Sequence, residues 1–141
     1  MGEGTALAER IAERRAGIGD PLALIGELRR SPLLVPFDGG GLWTATSGGV
    51  RWICGFTDEA ALARFARERD AGDGRTSGRS WEYAVLRGAR LLDEIVPAMG
   101  EPAGVAVNIA DPSGAMLFPP VLGVVPDAVA VDAGESRKGE R

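Results

Sequence analysis

The chain has 141 residues, 45% of them hydrophobic and 26% charged, with a net charge of -4; this profile fits one globular domain able to bury about two-thirds of its unfolded surface. It contains no histidine and one cysteine, Cys54, which excludes Ser-His-Asp and Cys-His nucleophilic sites, imidazole metal ligands, an intrachain disulfide and a cysteine-rich zinc site. The acidic balance argues against a nucleic-acid partner, and no apolar run approaches the roughly 20 residues that cross a bilayer.

Residues 1–4 read as loose, and no basic region followed by an apolar run marks a leader, so a cytoplasmic location is the expectation. Thr5 is placed to cap a helix over 6–15, with Leu7 and Ile11 on one face. Asp20-Pro21 is a helix start: a capping carboxylate, then proline where no N–H is needed. Leu22, Ile25 and Leu28 form the expected apolar face of that second helix, and Arg29 and Arg30 suit its C-terminal dipole. Ser31-Pro32 breaks it.

Residues 33–37 read as a first strand, followed by a turn at Asp38-Gly39-Gly40-Gly41. No Gly-Lys-Ser/Thr follows these glycines, so a hairpin explains them better than a phosphate loop. Residues 42–47 and 50–56 read as paired strands around Gly48-Gly49. The second alternates clearly, with Val50, Trp52, Cys54 and Phe56 on one face and Arg51 and Ile53 on the other. Cys54 in that row is a small core residue, because Arg51 points to the opposite face and cannot activate a thiolate.

Thr57 is expected to cap a helix over 58–69, with Asp58 and Glu59 in its first turn and Ala61, Leu62, Phe65 and Ala66 buried. The stretch 70–80 reads as a surface loop; its Arg75 and Arg79 are offset by Asp70 and Asp73. Residues 81–87 form a further strand, with Trp81, Tyr83 and Val85 sharing a face. A helix over 88–99 buries Leu91, Leu92, Ile95 and Val96, and Pro97 should shorten or kink it. Asp93 and Glu94 are about 100° apart on that helix and do not face each other. Residues 104–109 form a strand, Asp111-Pro112-Ser113-Gly114 has type I turn chemistry, and 115–118 returns antiparallel before Pro119-Pro120. The apolar stretch 121–131 fits an edge strand, a packed arm or a partner-binding segment, and the polar tail 132–141 reads as disordered.

Hairpins mixed with single helices indicate an α+β fold: an antiparallel or mixed sheet of about five to six strands, with helices packed mainly on one face. The expected organisation is an N-terminal helical segment at 1–31, an α+β domain at 32–131 and the tail at 132–141. The run Ile53-Cys54-Gly55-Phe56-Thr57-Asp58-Glu59-Ala60, with Phe65 and Ala66 after it and the late strand ending at Asn108, resembles the SseB-type N-terminal domain family of bacterial proteins. Two features depart from that pattern: Asp111-Pro112 stands three residues after Asn108, and the loop 70–80 is long. The resemblance covers roughly 33–118 and implies a small α+β module without catalytic residues, linked in some relatives to secretion-associated gene neighbourhoods.

Three functional classes follow. The first is a non-enzymatic protein-binding or accessory module without cofactor or metal, whose candidate interface residues are Trp43, Trp52 and Trp81. The second is a self-associating protein that uses a sheet edge or the 121–131 arm. The third is a small-ligand sensor or enzyme using carboxylates, with Asp38, Glu82 and Asp111 at strand ends and loops.

Overall fold

A computed structural model describes residues 3–72 and 81–133. Most of the expected 70–80 loop, with Arg75 and Arg79, and the tail beyond 133 lie outside the described residues, as do residues 1 and 2. The described chain runs α1 (Glu3–Arg15), α2 (Pro21–Arg30), β1 (Pro32–Asp38), β2 (Gly41–Leu42), β3 (Thr44–Ser47), β4 (Val50–Gly55), α3 (Glu59–Gly72), β5 (Tyr83–Arg87), α4 (88–98), β6 (Ala103–Val107) and β7 (Met116–Phe118). This is an α+β fold, with the expected order of helices and strands.

The strands form two sheets rather than one. One has the order β2-β1-β5 and the other β3-β4-β6-β7. The expected strand at 42–47 divides at Trp43, whose N–H donates to the Pro36 carbonyl at 2.8 Å before the chain turns to pair with β4. One polypeptide stretch thus serves both sheets. A bridge between Leu34 and Phe56, with N–H···O distances of 2.8 and 2.9 Å, joins them again. The hairpin turns at Gly39-Gly40 and Gly48-Gly49 all have positive φ, as two-residue hairpin loops require. The pair β4–β6 is parallel, with α3, β5 and α4 in the crossover between its strands.

Strand alternation divides the interior in two. Leu33, Val35, Ile53, Val105, Val107 and Phe118 point to one side, where Leu7 and Ile11 of α1, Leu24 and Leu28 of α2, and Leu91, Leu92 and Val96 of α4 cover them. The segment 1–31 is therefore part of the main core. The arm at 121–131 packs there as well through Val124, Val125, Val129 and Ala130, and the Val131 N–H donates to the Pro120 carbonyl. Cys54, Phe56 and Ala106 point to the other side, under Leu62 and Phe65 of α3.

Three local expectations change. Leu22 is not on the buried face of α2: it is 80% exposed, and the buried stripe is Leu24 and Leu28, one turn apart. Thr5 lies inside α1 rather than capping it. Asp58, not Thr57, caps α3, its Oδ1 accepting the Ala61 N–H at 2.8 Å. The expected effect of Pro97 is seen as a distortion near the end of α4, which stops at Ala98. The stretch Leu91–Ile95 widens into a π-helical turn, with the Val96 N–H reaching the Leu91 carbonyl. The wider turn makes room for a ring that would otherwise strike the carbonyl four residues back.

α4 starts directly after β5 at Gly88, where a side chain cannot be accommodated. A Cβ there would lie 1.9 Å from the Leu28 carbonyl oxygen at the end of α2. The Gly88 N–H also donates to the Ser31 carbonyl. Arg29 then spans the two helices, its Nη1 and Nη2 donating to the two carboxylate oxygens of Asp93 at 3.1 and 2.6 Å.

Candidate functional site

In an open sheet with parallel strands, ligands settle beyond the carboxyl ends of those strands. Here those are the ends of β4 and β6, and a polar clasp occupies them. Asn108 is buried with φ of 53°, a left-handed conformation that asparagine tolerates better than most residues. Its N–H donates to the Gly55 carbonyl at 3.0 Å, its Nδ2 donates to the Thr57 hydroxyl at 3.1 Å, and its Oδ1 accepts the Thr57 N–H at 3.1 Å. The hydrogen-bonding groups of this corner satisfy one another, so it joins two strand ends and does not present a site.

The carboxylates do not assemble into an acid/base pair. The Phe37 N–H donates to the Glu82 carbonyl at 2.8 Å, so Glu82 stands opposite Phe37, and Asp38 falls one residue out of step, on the other face. Asp111 lies beyond β6 in the other sheet. The Ser113 N–H, the Ser113 hydroxyl, Arg64 at 3.4 Å and the Gly114 N–H hold its carboxyl below the usual carboxylate range against the opposing effect of burial. It is a turn-forming residue. Among the described residues no group of three or more His, Cys, Asp or Glu side chains is placed to hold a metal ion. Burial pushes the Cys54 thiol up to about 12, with Arg69 opposing weakly, so the thiolate needed for nucleophilic work does not form near neutral pH.

The three tryptophans are half-buried. Trp43 and Trp81 flank Phe65 with ring centroids at 5.0 and 5.4 Å, both edge-to-face, and Phe56 lies on Phe65 at 5.0 Å. The Arg69 guanidinium covers the Trp43 ring at 5.1 Å. Trp52 stands opposite Ala45 and Gly104 and lies across Gly104, where a Cβ would come within 2.8 Å of its indole. A cleft of about 360 Å³ runs beside this cluster, lined by Trp43, Ala45, Phe65, Glu68, Arg69 and Ile109, among others. These indoles spend most of their surface on packing against α3 and β6.

A second concavity is more apolar and has a different origin. A groove of about 380 Å³ lies between α2, the edge strand β7 and the chain that follows it. Leu22, Leu24 and Ile25 supply the α2 wall, Pro119, Leu122 and Val124 the opposite wall, and among the described residues Arg14 is its one charged lining residue. Leu22 is 80% exposed and Leu122 37% exposed, so the groove places large apolar side chains in water. β7 is the last strand of its sheet among the described residues. Arg15 braces this end, donating to the carbonyls of Ala115 and Pro112 at 2.9 and 3.0 Å. Sequence reasoning missed this site because Leu22 fits a helical apolar stripe. The available signal was that Leu24 and Leu28, four apart, form a stripe that leaves Leu22 on another face.

Among the described residues, no helix is long and apolar enough to cross a membrane. No protein-family model matches the chain, and neither does any curated protein or solved structure. The class that fold and site define is a small α+β domain with an apolar groove beside a sheet edge.

Proposed function

We propose that this protein is a non-enzymatic protein-binding module of SseB-like type, acting in the cytoplasm, whose contact surface is the groove between α2 and β7. The occupant is an extended apolar segment of a partner protein that carries a carboxylate. The observation behind this reading is the exposure of Leu22 on the wall of an apolar groove that follows an edge strand. An extended segment laid along such an edge gains main-chain hydrogen bonds, and alternate side chains enter the groove. Arg14 gives the groove a cation, which favours an acidic residue in the occupant. The link to secretion-associated systems belongs to the same proposal and rests on the run from Ile53 to Ala60.

The test is selection of a random peptide library displayed on phage against the immobilised protein. Enrichment of sequences with alternating apolar residues and an acidic position is the expected result. Binding of the selected peptides should fall at least about tenfold in Leu22→Asp, with the melting temperature nearly unchanged, since substitutions at exposed sites usually alter stability by no more than about 0.5 kcal/mol. No enrichment, or enriched peptides that bind Leu22→Asp and Leu122→Asp as well as the parent, would overturn the reading.

A further inference from the structure

We infer that two copies of this chain pair through β5, antiparallel, with Val85 on the two-fold axis. Among the described residues β5 pairs only with β1, which leaves its far side as a sheet edge. The register shows which groups face that edge. Leu34 stands opposite Val85, and both the N–H and the carbonyl of Leu34 are engaged on the other side of β1, by Phe56. Leu34 and Val85 are therefore a non-hydrogen-bonded pair, and the Val85 N–H and carbonyl point away from β1. The same alternation turns Tyr83 outward, since the bonds from Phe37 to Glu82 and from Gly88 to Ser31 mark the pairs that do bond across β1–β5.

The side chains agree with this reading. Val85 is 59% exposed and Tyr83 36% exposed, both on the α3 side of the sheet, the face that Leu34 shares. Exposed edge strands usually carry lysine, proline or a bulge that prevents pairing. β5 has five residues, Tyr-Ala-Val-Leu-Arg, with no proline, no lysine and no break in its pairing with β1.

The strand is also complementary to itself. An antiparallel second copy centred on Val85 sets Tyr83 opposite Arg87 of that copy, and Arg87 opposite its Tyr83. The Tyr83 hydroxyl donates to the Glu59 carboxylate at 2.9 Å. Each incoming guanidinium therefore meets an aromatic ring and a carboxylate. Arg87 donates to the Arg30 carbonyl within its own chain, and a guanidinium, with five N–H donors, takes several partners at once. Two three-stranded sheets then continue as one six-stranded sheet, β2-β1-β5 followed by its two-fold copy. This surface is separate from the groove and does not depend on it.

The experiment is sedimentation equilibrium of the full chain across a concentration series, with three variants. The parent should move from the 14.7 kDa of one chain to twice that mass as concentration rises. Val85→Lys places two ammonium groups together on the axis, at a position already in water, and should weaken association at least about tenfold. Arg87→Glu should weaken it, and Arg87→Glu combined with Glu59→Arg should restore it. Leu22→Asp should leave it unchanged, which separates this result from failure of the groove. A single 14.7 kDa species at every concentration overturns the proposal. So does a dimer that neither Val85→Lys nor Arg87→Glu weakens.

Discussion

The two sides of the sheets are built differently. On one side three helices and the 121–131 arm seal an aliphatic core in which Leu7, Leu28, Leu33, Val35, Ile53, Leu91 and Leu92 have no exposure. On the other a single helix, α3, covers an aromatic cluster whose tryptophans reach the solvent. The contrast shows how one short chain divides its work. Aliphatic side chains interdigitate and need cover from every direction, whereas indoles, with an apolar body and a polar N–H, tolerate a wet rim. The first side is redundant, held by several elements. The second depends on Phe65, the ring touched by Trp43, Phe56 and Trp81.

The largest effect that would test this contrast is Phe65→Ala. Truncating a buried phenylalanine typically costs about 3–5 kcal/mol, and here it should also shift tryptophan emission to the red, because Trp43 and Trp81 lose the ring between them. Leu91→Ala, on the sealed side, should cost about 2–5 kcal/mol with native emission unchanged. If Phe65→Ala lowers stability and leaves the native emission of Trp43 and Trp81 where it was, the aromatic side is not organised around Phe65.

Next in size is Gly88→Ala. Its new Cβ would collide with a backbone oxygen at the α2–α4 contact, and overpacking of this kind costs about 1–3 kcal/mol, sometimes more. Thermal melting followed by far-UV circular dichroism measures it. A melting temperature equal to the parent would mean that α2 and α4 separate easily, and that the aliphatic side is less rigid than its packing implies.

Asn108→Ala should cost about 1–3 kcal/mol, since it strands the Thr57 N–H and places alanine at positive φ. Asn108→Gly removes the same side chain but suits that φ, so it should be the milder of the two. Urea unfolding of both variants separates the hydrogen bonds from the backbone conformation. Equal losses would show that the conformation contributes little.

The smallest effect is acid sensitivity. The hydrogen bond from Arg29 holds the Asp93 carboxyl below its usual range, and the Ser113 N–H does the same for Asp111. A carboxylate with a lowered folded-state value contributes stability that is fully present above its unfolded value and is lost as pH falls through the folded one. Melting temperature should therefore drop as the solution is taken below the ordinary carboxylate range. Both groups are partly exposed, so screening limits each contribution to about 1 kcal/mol or less. Asp93→Asn should flatten its share of that drop; a profile identical to the parent would remove the α2–α4 ion pair from the account.

Local pattern was enough to read much of this molecule. The alternation of 50–56 separated Ile53 from Trp52, Cys54 and Phe56 correctly, and spacing of three or four residues identified Leu7 with Ile11 and Leu62 with Phe65 as buried. Asp111-Pro112-Ser113-Gly114 declared its turn, and the lack of histidine with a single cysteine limited the chemistry open to the chain. These features are legible because a helix repeats every 3.6 residues and a strand every two, so the face of a residue is encoded by its neighbours in the chain. What covers that face is not encoded nearby. The division of 42–47 between two sheets, the parallel pairing of β4 with β6, the seat of Gly88 against Leu28 and the exposure of Leu22 all depend on residues far apart in sequence. The groove and the β5 edge belong to this second kind. Each is a surface left over when distant elements pack, and only the tertiary structure decides which apolar groups remain outside.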